Sequence, residues 1–108
     1  MKPSDDPSTS HSIGDAAAAE ALAHVGEQGG SLAGLRTVWD SRQRAVWAED
    51  ISIYRLAVGS ALKLGEAFLA YDIAREGLSA FVGDVRLLQL QALALARSGA
   101  TQRANAIL

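Results

Sequence analysis

Glu20, His24 and Glu27 fall at i, i+4 and i+7, which lines up a carboxylate, an imidazole and a second carboxylate along one helix face. Such a set can hold a divalent cation. Zinc, however, takes three or four protein ligands. The chain has one other histidine, His11, in a Ser- and Pro-rich stretch, and no cysteine at all. The trio therefore reads as a solvated helix face, and no metal or other cofactor is expected. The common catalytic templates are also missing: no G-x-S-x-G, H-E-x-x-H, G-x-x-x-x-G-K-[ST] or G-x-G-x-x-G occurs. Ser60 follows Gly59 inside a helical pattern, the wrong setting for a nucleophile, and nothing in the sequence sets His24 beside one. The expectation is a chain that is not an enzyme.

Two other groupings could bind rather than react. Trp39 and Trp47 stand eight apart with Arg36, Arg42 and Arg44 around them, an aromatic–basic pattern of the kind that stacks and neutralises single-stranded nucleic acid. Asp40, Glu49 and Asp50 dilute its charge, and two aromatics at i and i+8 more often pack one helix onto the next, so nucleic acid is not the expected partner. Further along, Arg55, Gly59 and Lys63 follow at i, i+4 and i+8 and share a helix face, as do Arg86, Gln89, Leu93 and Arg97. Ordinary solvated charge, with Asp84 paired to Arg86, is the competing explanation of these rows.

These residues must be positioned by helices. Of 108 residues, 21 are Ala and 14 Leu, whereas Val, Ile and Thr together supply 14, a balance that favours helix over sheet. At this length one domain is the ceiling, with a modest core. Net charge is −2, distributed as an acidic head and a basic tail: residues 1–34 carry one Lys against five carboxylates, and residues 85–108 carry three Arg and no acid. The start has no apolar run of a signal peptide, and Leu87–Ala96, interrupted by Gln89 and Gln91, is far shorter than the roughly 20 residues of a membrane span. With no cysteine, the cytoplasm is the expected location.

Residues 1–14 show no apolar periodicity and read as a disordered tail. Residues 15–50 read as N-terminal helices that pack on the hairpins after them: one capped by Asp15 and ended at Gly29-Gly30, and one capped by Ser31 with a kink near Asp40-Ser41. Asp50 caps a helix over 51–64, Gly65 stops it, a second helix spans 66–80, a third 85–98, and Ser98-Gly99 separates that from a fourth starting at Ala100. The expected class is all-α, built of antiparallel helical hairpins.

Sliding the chain by 34 residues superposes the hairpins. Leu56 meets Leu90, Gly65 meets Gly99, Ala70 meets Ala104 and Ile73 meets Ile107, while Tyr54/Leu88 and Val58/Ala92 stay apolar. On these positions the chain resembles the tetratricopeptide repeat family (TPR), with residues 51–84 as one repeat and 85–108 as about two thirds of another. Val58, Gly77 and Val82 depart from the family's usual small residue, Ala and Pro. The resemblance implies a short solenoid with Tyr54, Gly65, Ala70, Leu88, Gly99 and Ala104 at packing and turn positions. It also implies that the first helix of each hairpin lines a concave face, so Arg55, Gly59, Lys63, Arg86, Gln89 and Arg97 would contact a partner.

The run from Leu64 to Leu108 is similar to the repeats of large bacterial TPR proteins, themselves similar to the regulatory, TRAF-binding region of apoptosis signal-regulating kinases. This implies a non-catalytic protein-binding scaffold in a signalling or stress-response assembly. The alternative is a sensor taking a small anion such as a nucleotide in the same groove. The helix starting at Ala100 stops within two turns, leaving Leu95, Ala104 and Leu108 part-covered. The chain accordingly reads as a fragment of a larger protein, or one that associates with itself through this end.

Overall fold

The computed structural model describes the backbone of residues 7–107 and the side chains of residues 16–99. Six helices follow one another: α1 (Pro7–Gln28), α2 (Leu32–Asp40), α3 (Arg44–Trp47), α4 (Ile51–Lys63), α5 (Ala67–Ala80) and α6 (Val85–Ile107). No strand occurs among the described residues, so the class is all-α. None of these helices is long and apolar enough to cross a membrane.

Local chemistry explains most of the boundaries. Ser31 caps α2 by accepting from the Gly34 N–H at 3.1 Å, and Asp50 caps α4 through the Ser52 N–H at 2.9 Å. The kink expected near Asp40-Ser41 is a full break, because the Ser41 hydroxyl donates back to the Thr37 carbonyl at 2.7 Å and competes with the next helical turn. At the end of α4, Gly65 has φ +77°. Its N–H bonds to the Leu62 carbonyl, and the Glu66 N–H reaches the Ala61 carbonyl. That pair of bonds is a Schellman motif, whose left-handed residue glycine adopts without strain.

Two expectations about the ends do not hold. The tail assigned to residues 1–14 overlaps α1, whose helical backbone begins at Pro7, while residues 1–6 lie outside the described residues. Proline suits a first helical position because its φ is preset and its missing N–H would have had no partner there. At the other end, α6 runs straight through Ser98-Gly99, with no turn and no positive φ at Gly99. One helical glycine costs about 1 kcal/mol against alanine, and the Ala, Gln and Arg residues on both sides are strong helix formers that outweigh it. Ala104 lies on this helix, with its side chain outside the described residues.

The core follows from the α4–α5–α6 arrangement. Tyr54, Val58, Ala61, Ala70, Ile73, Ala74 and Leu87 are fully or almost fully buried. α5 packs on both α4 and α6, and α1 lies against α2, α3 and α4. Arg55 meets Asp84, near the starts of α4 and α6, and Arg97 meets Leu62, near the end of α4. These two helices therefore run side by side in the same direction. Leu88, expected to fill the place that Tyr54 fills in the first hairpin, is instead 46% exposed. The cause is the uninterrupted α6, since among the described residues no segment folds back to cover that face.

Glycines test this packing. A Cβ on Gly77 would come within 3.0 Å of both Leu87 Cδ1 and Tyr54 Cγ, so the close approach of these two side chains leaves room for glycine alone. One on Gly99 would meet nothing within 4 Å. Gly77→Ala is expected to destabilise the fold by about 1 kcal/mol, despite its better helix propensity. Gly99→Ala is expected to stabilise it by about 0.5–1 kcal/mol. Urea unfolding followed by circular dichroism measures both, and a destabilising Gly99→Ala would signal a left-handed turn in place of continuous helix.

Candidate functional site

The cationic row is built along the seam between α4 and α6, and internal contacts tie down its ends. The Arg55 guanidinium donates to Asp84 Oδ1 at 2.5 Å. Asp84 also caps α6, accepting from the Leu87 N–H through Oδ2 at 2.8 Å. The Arg55 hydrogen bond, aided by that N–H, holds the Asp84 carboxyl below its ordinary range. Asp84 thus pairs with Arg55 across the seam rather than with Arg86 along its own helix. Arg55 Nε is buried with no hydrogen-bond partner. At the far end, Arg97 Nη1 donates to the Leu62 carbonyl at 3.2 Å. Between these ties Gly59 opens onto empty space, and Lys63, Arg86, Gln89 and Leu93 are exposed. The structure brings the two rows onto one surface, with Arg55 and Arg97 partly committed to the fold.

A second polar cluster was not legible as a unit in the sequence. Arg42, in the loop after α2, donates to Glu76 of α5 in bidentate fashion, Nε to Oε2 at 2.8 Å and Nη2 to Oε1 at 2.6 Å. The Tyr54 hydroxyl donates to Glu76 Oε2 at 3.0 Å, and Arg44 lies 3.0 Å from Oε1. Arg42 also covers the Trp39 ring at 3.5 Å. The Arg42 hydrogen bond holds the Glu76 carboxyl below its usual value against the opposing effect of burial. Burial, and then the hydrogen bond to Glu76, push the Tyr54 phenol up. One signal was available: Glu76 stands three residues after Ile73 at the edge of the apolar stripe of its helix, where a carboxylate needs a cation.

The Trp/Arg pattern is accounted for by packing. Trp47 is buried, edge-on to Trp39 at 5.6 Å and to Tyr54 at 5.3 Å. Arg36 faces Glu66 at 3.5 Å. Of the acidic and imidazole trio, Glu20 and His24 approach to 3.9 Å, both largely exposed. No group of three potential metal ligands is assembled among the described residues. His11 falls outside the described side chains.

A cleft of about 670 Å³ separates α1 from α2 and α3, floored by Val38, Val46 and Trp47 and rimmed by Glu20, His24 and Gln28. A smaller cavity of about 390 Å³ lies among Trp39, Arg44, Asp72 and Arg75. Neither is lined by the α4–α6 row. Compared with known proteins, the chain matches no family model, and no curated protein or solved structure matches it.

Proposed function

We propose that this chain is a non-catalytic interaction module of the TPR kind, which binds an acidic or polar protein segment along the α4–α6 seam. The observation that carries this reading is the side-by-side, same-direction course of α4 and α6. It sets Lys63, Arg86 and Gln89 outward on a shared surface while Gly59 leaves room for a ligand backbone. The catalytic templates missing from the sequence argue in the same direction. By its resemblance the module would serve a cytoplasmic signalling or stress-response assembly.

An extended peptide of alternating Glu and Ser is a suitable probe. Lys63→Glu with Arg86→Glu is expected to weaken its binding about tenfold or more in low salt, read by fluorescence anisotropy. Unchanged affinity would remove the seam as the site. The same row would suit a small anion such as a nucleotide, because guanidinium groups match phosphate. A thermal-shift titration with ATP beside the peptide separates the two readings, since only the sensor reading expects stabilisation by the nucleotide.

A further inference from the structure

The outer side of α6 presents Val85, Leu88, Ala92, Leu95 and Gly99 at steps of three and four. This is the a/d spacing of a coiled-coil seam. No charge interrupts it, and its three bulky members are 66%, 46% and 57% exposed in chain order. It lies about a third of a turn around the helix from Arg86, Leu93 and Arg97, so it is a different surface from the seam proposed above. α1 carries a matching stripe. Ala16, Ala19, Ala23 and Gly26 fall at the same alternating steps and are all exposed, forming a shallow track beside Glu20 and Glu27. Bulky side chains on one helix and small ones on the other interdigitate at close approach.

Charge selects the pairing. α1 contains Asp15, Glu20 and Glu27 and no Lys or Arg, whereas α6 contains Arg86, Arg97 and Arg103 and no acid. Two α6 helices brought together would oppose like charges, as would two α1 helices. Only α1 against α6 is attractive. Within one chain α1 packs chiefly on α2, α3 and α4, and α6 on α4 and α5, so both stripes stay exposed. We infer that the α6 stripe of one copy takes the α1 stripe of a second copy, a head-to-tail contact that leaves each pair with a free α1 and a free α6. Such a heterologous interface propagates, giving short open arrays or a closed ring.

Sedimentation equilibrium of the full chain from about 10 μM to about 1 mM tests this by mass action. The average mass is expected to rise past that of a dimer and to fall back when salt is added. Leu88→Glu with Leu95→Glu blocks the tail, and Ala19→Arg with Ala23→Arg blocks the head. All four positions are exposed, so both variants should keep the wild-type circular dichroism spectrum. Each variant alone is expected to be monomeric, and an equimolar mixture should form a 1:1 dimer that stops there, because each partner contributes its one intact surface. A wild type that stays monomeric throughout overturns the inference. So does a head-blocked variant that assembles like the wild type, which would mean α6 pairing with α6, or a mixture that forms no dimer.

Discussion

Glu76→Ala is expected to lower the stability of the fold by about 3 kcal/mol, a fall in Tm on the order of 10–20 °C for a domain of this size. Glu76 and Arg42 are only 16% and 14% exposed, and each of the two Arg42 hydrogen bonds to the carboxylate is short. Removing the carboxylate leaves a guanidinium in a largely dry site, together with a Tyr54 hydroxyl that has lost its acceptor. The cost arises chiefly from that unpaired charge and less from the bonds themselves. A paired exchange of Arg42→Met with Glu76→Leu should therefore recover much of the loss. If Glu76→Ala unfolds within about 0.5 kcal/mol of the wild type, the cluster is a surface decoration and not a strut.

The same cluster fixes a pH profile. The Glu76 carboxyl titrates below its ordinary value of 4.5 in the fold. Its contribution is thus complete above the unfolded-state value and is lost as the pH falls through the folded one. The Tyr54 phenol titrates above its ordinary value of 10.0. What it contributes is complete below that pH and is lost as the pH rises past it. Wild-type stability should decline at both acid and alkaline extremes, and Glu76→Gln should flatten the acid limb. Urea midpoints measured across the pH range check both limbs.

The parts of the fold set by short-range chemistry were legible in the sequence. Asp50 as a cap, Gly65 as a left-handed stop, and the apolar register of Tyr54, Val58, Ala61, Ala70 and Ala74 depend on neighbours a few residues away, and the structure has all of them. The second hairpin was read from a register in which Gly99 mirrors Gly65. A glycine permits a left-handed turn without requiring one. What fixes Gly65 is the pair of hydrogen bonds formed at the end of α4. Nothing comparable was visible at Gly99, and α6 continues. At the site, helix periodicity lined up Arg55 and Arg97 with the other members of their rows but could not show their partners. Asp84 and the Leu62 carbonyl lie 29 and 35 residues away along the chain. The link between Arg42 and Glu76 spans 34 residues, which no local spacing rule reaches.

Trp47→Ala carries the other large effect, about 3–5 kcal/mol. α3 is four residues long, too short to hold itself as a helix, so its place depends on what its one buried side chain grips. Trp47 is 2% exposed. It stands in the middle of a column of edge-on rings that runs from Trp39 through Tyr54 to Phe81. Such contacts add about 0.5–1.5 kcal/mol each to the area they bury. Cutting the column also releases the segment that carries Arg42, and with it the hold on Glu76. The losses from Trp47→Ala and Glu76→Ala should therefore overlap, and the double variant should fall short of their sum by about 1 kcal/mol or more. Trp47→Phe, which keeps a ring in place, should retain most of the stability and the coupling to Glu76. Strict additivity in the urea-unfolding cycle would mean that the aromatic column and the charged cluster hold the N-terminal helices independently.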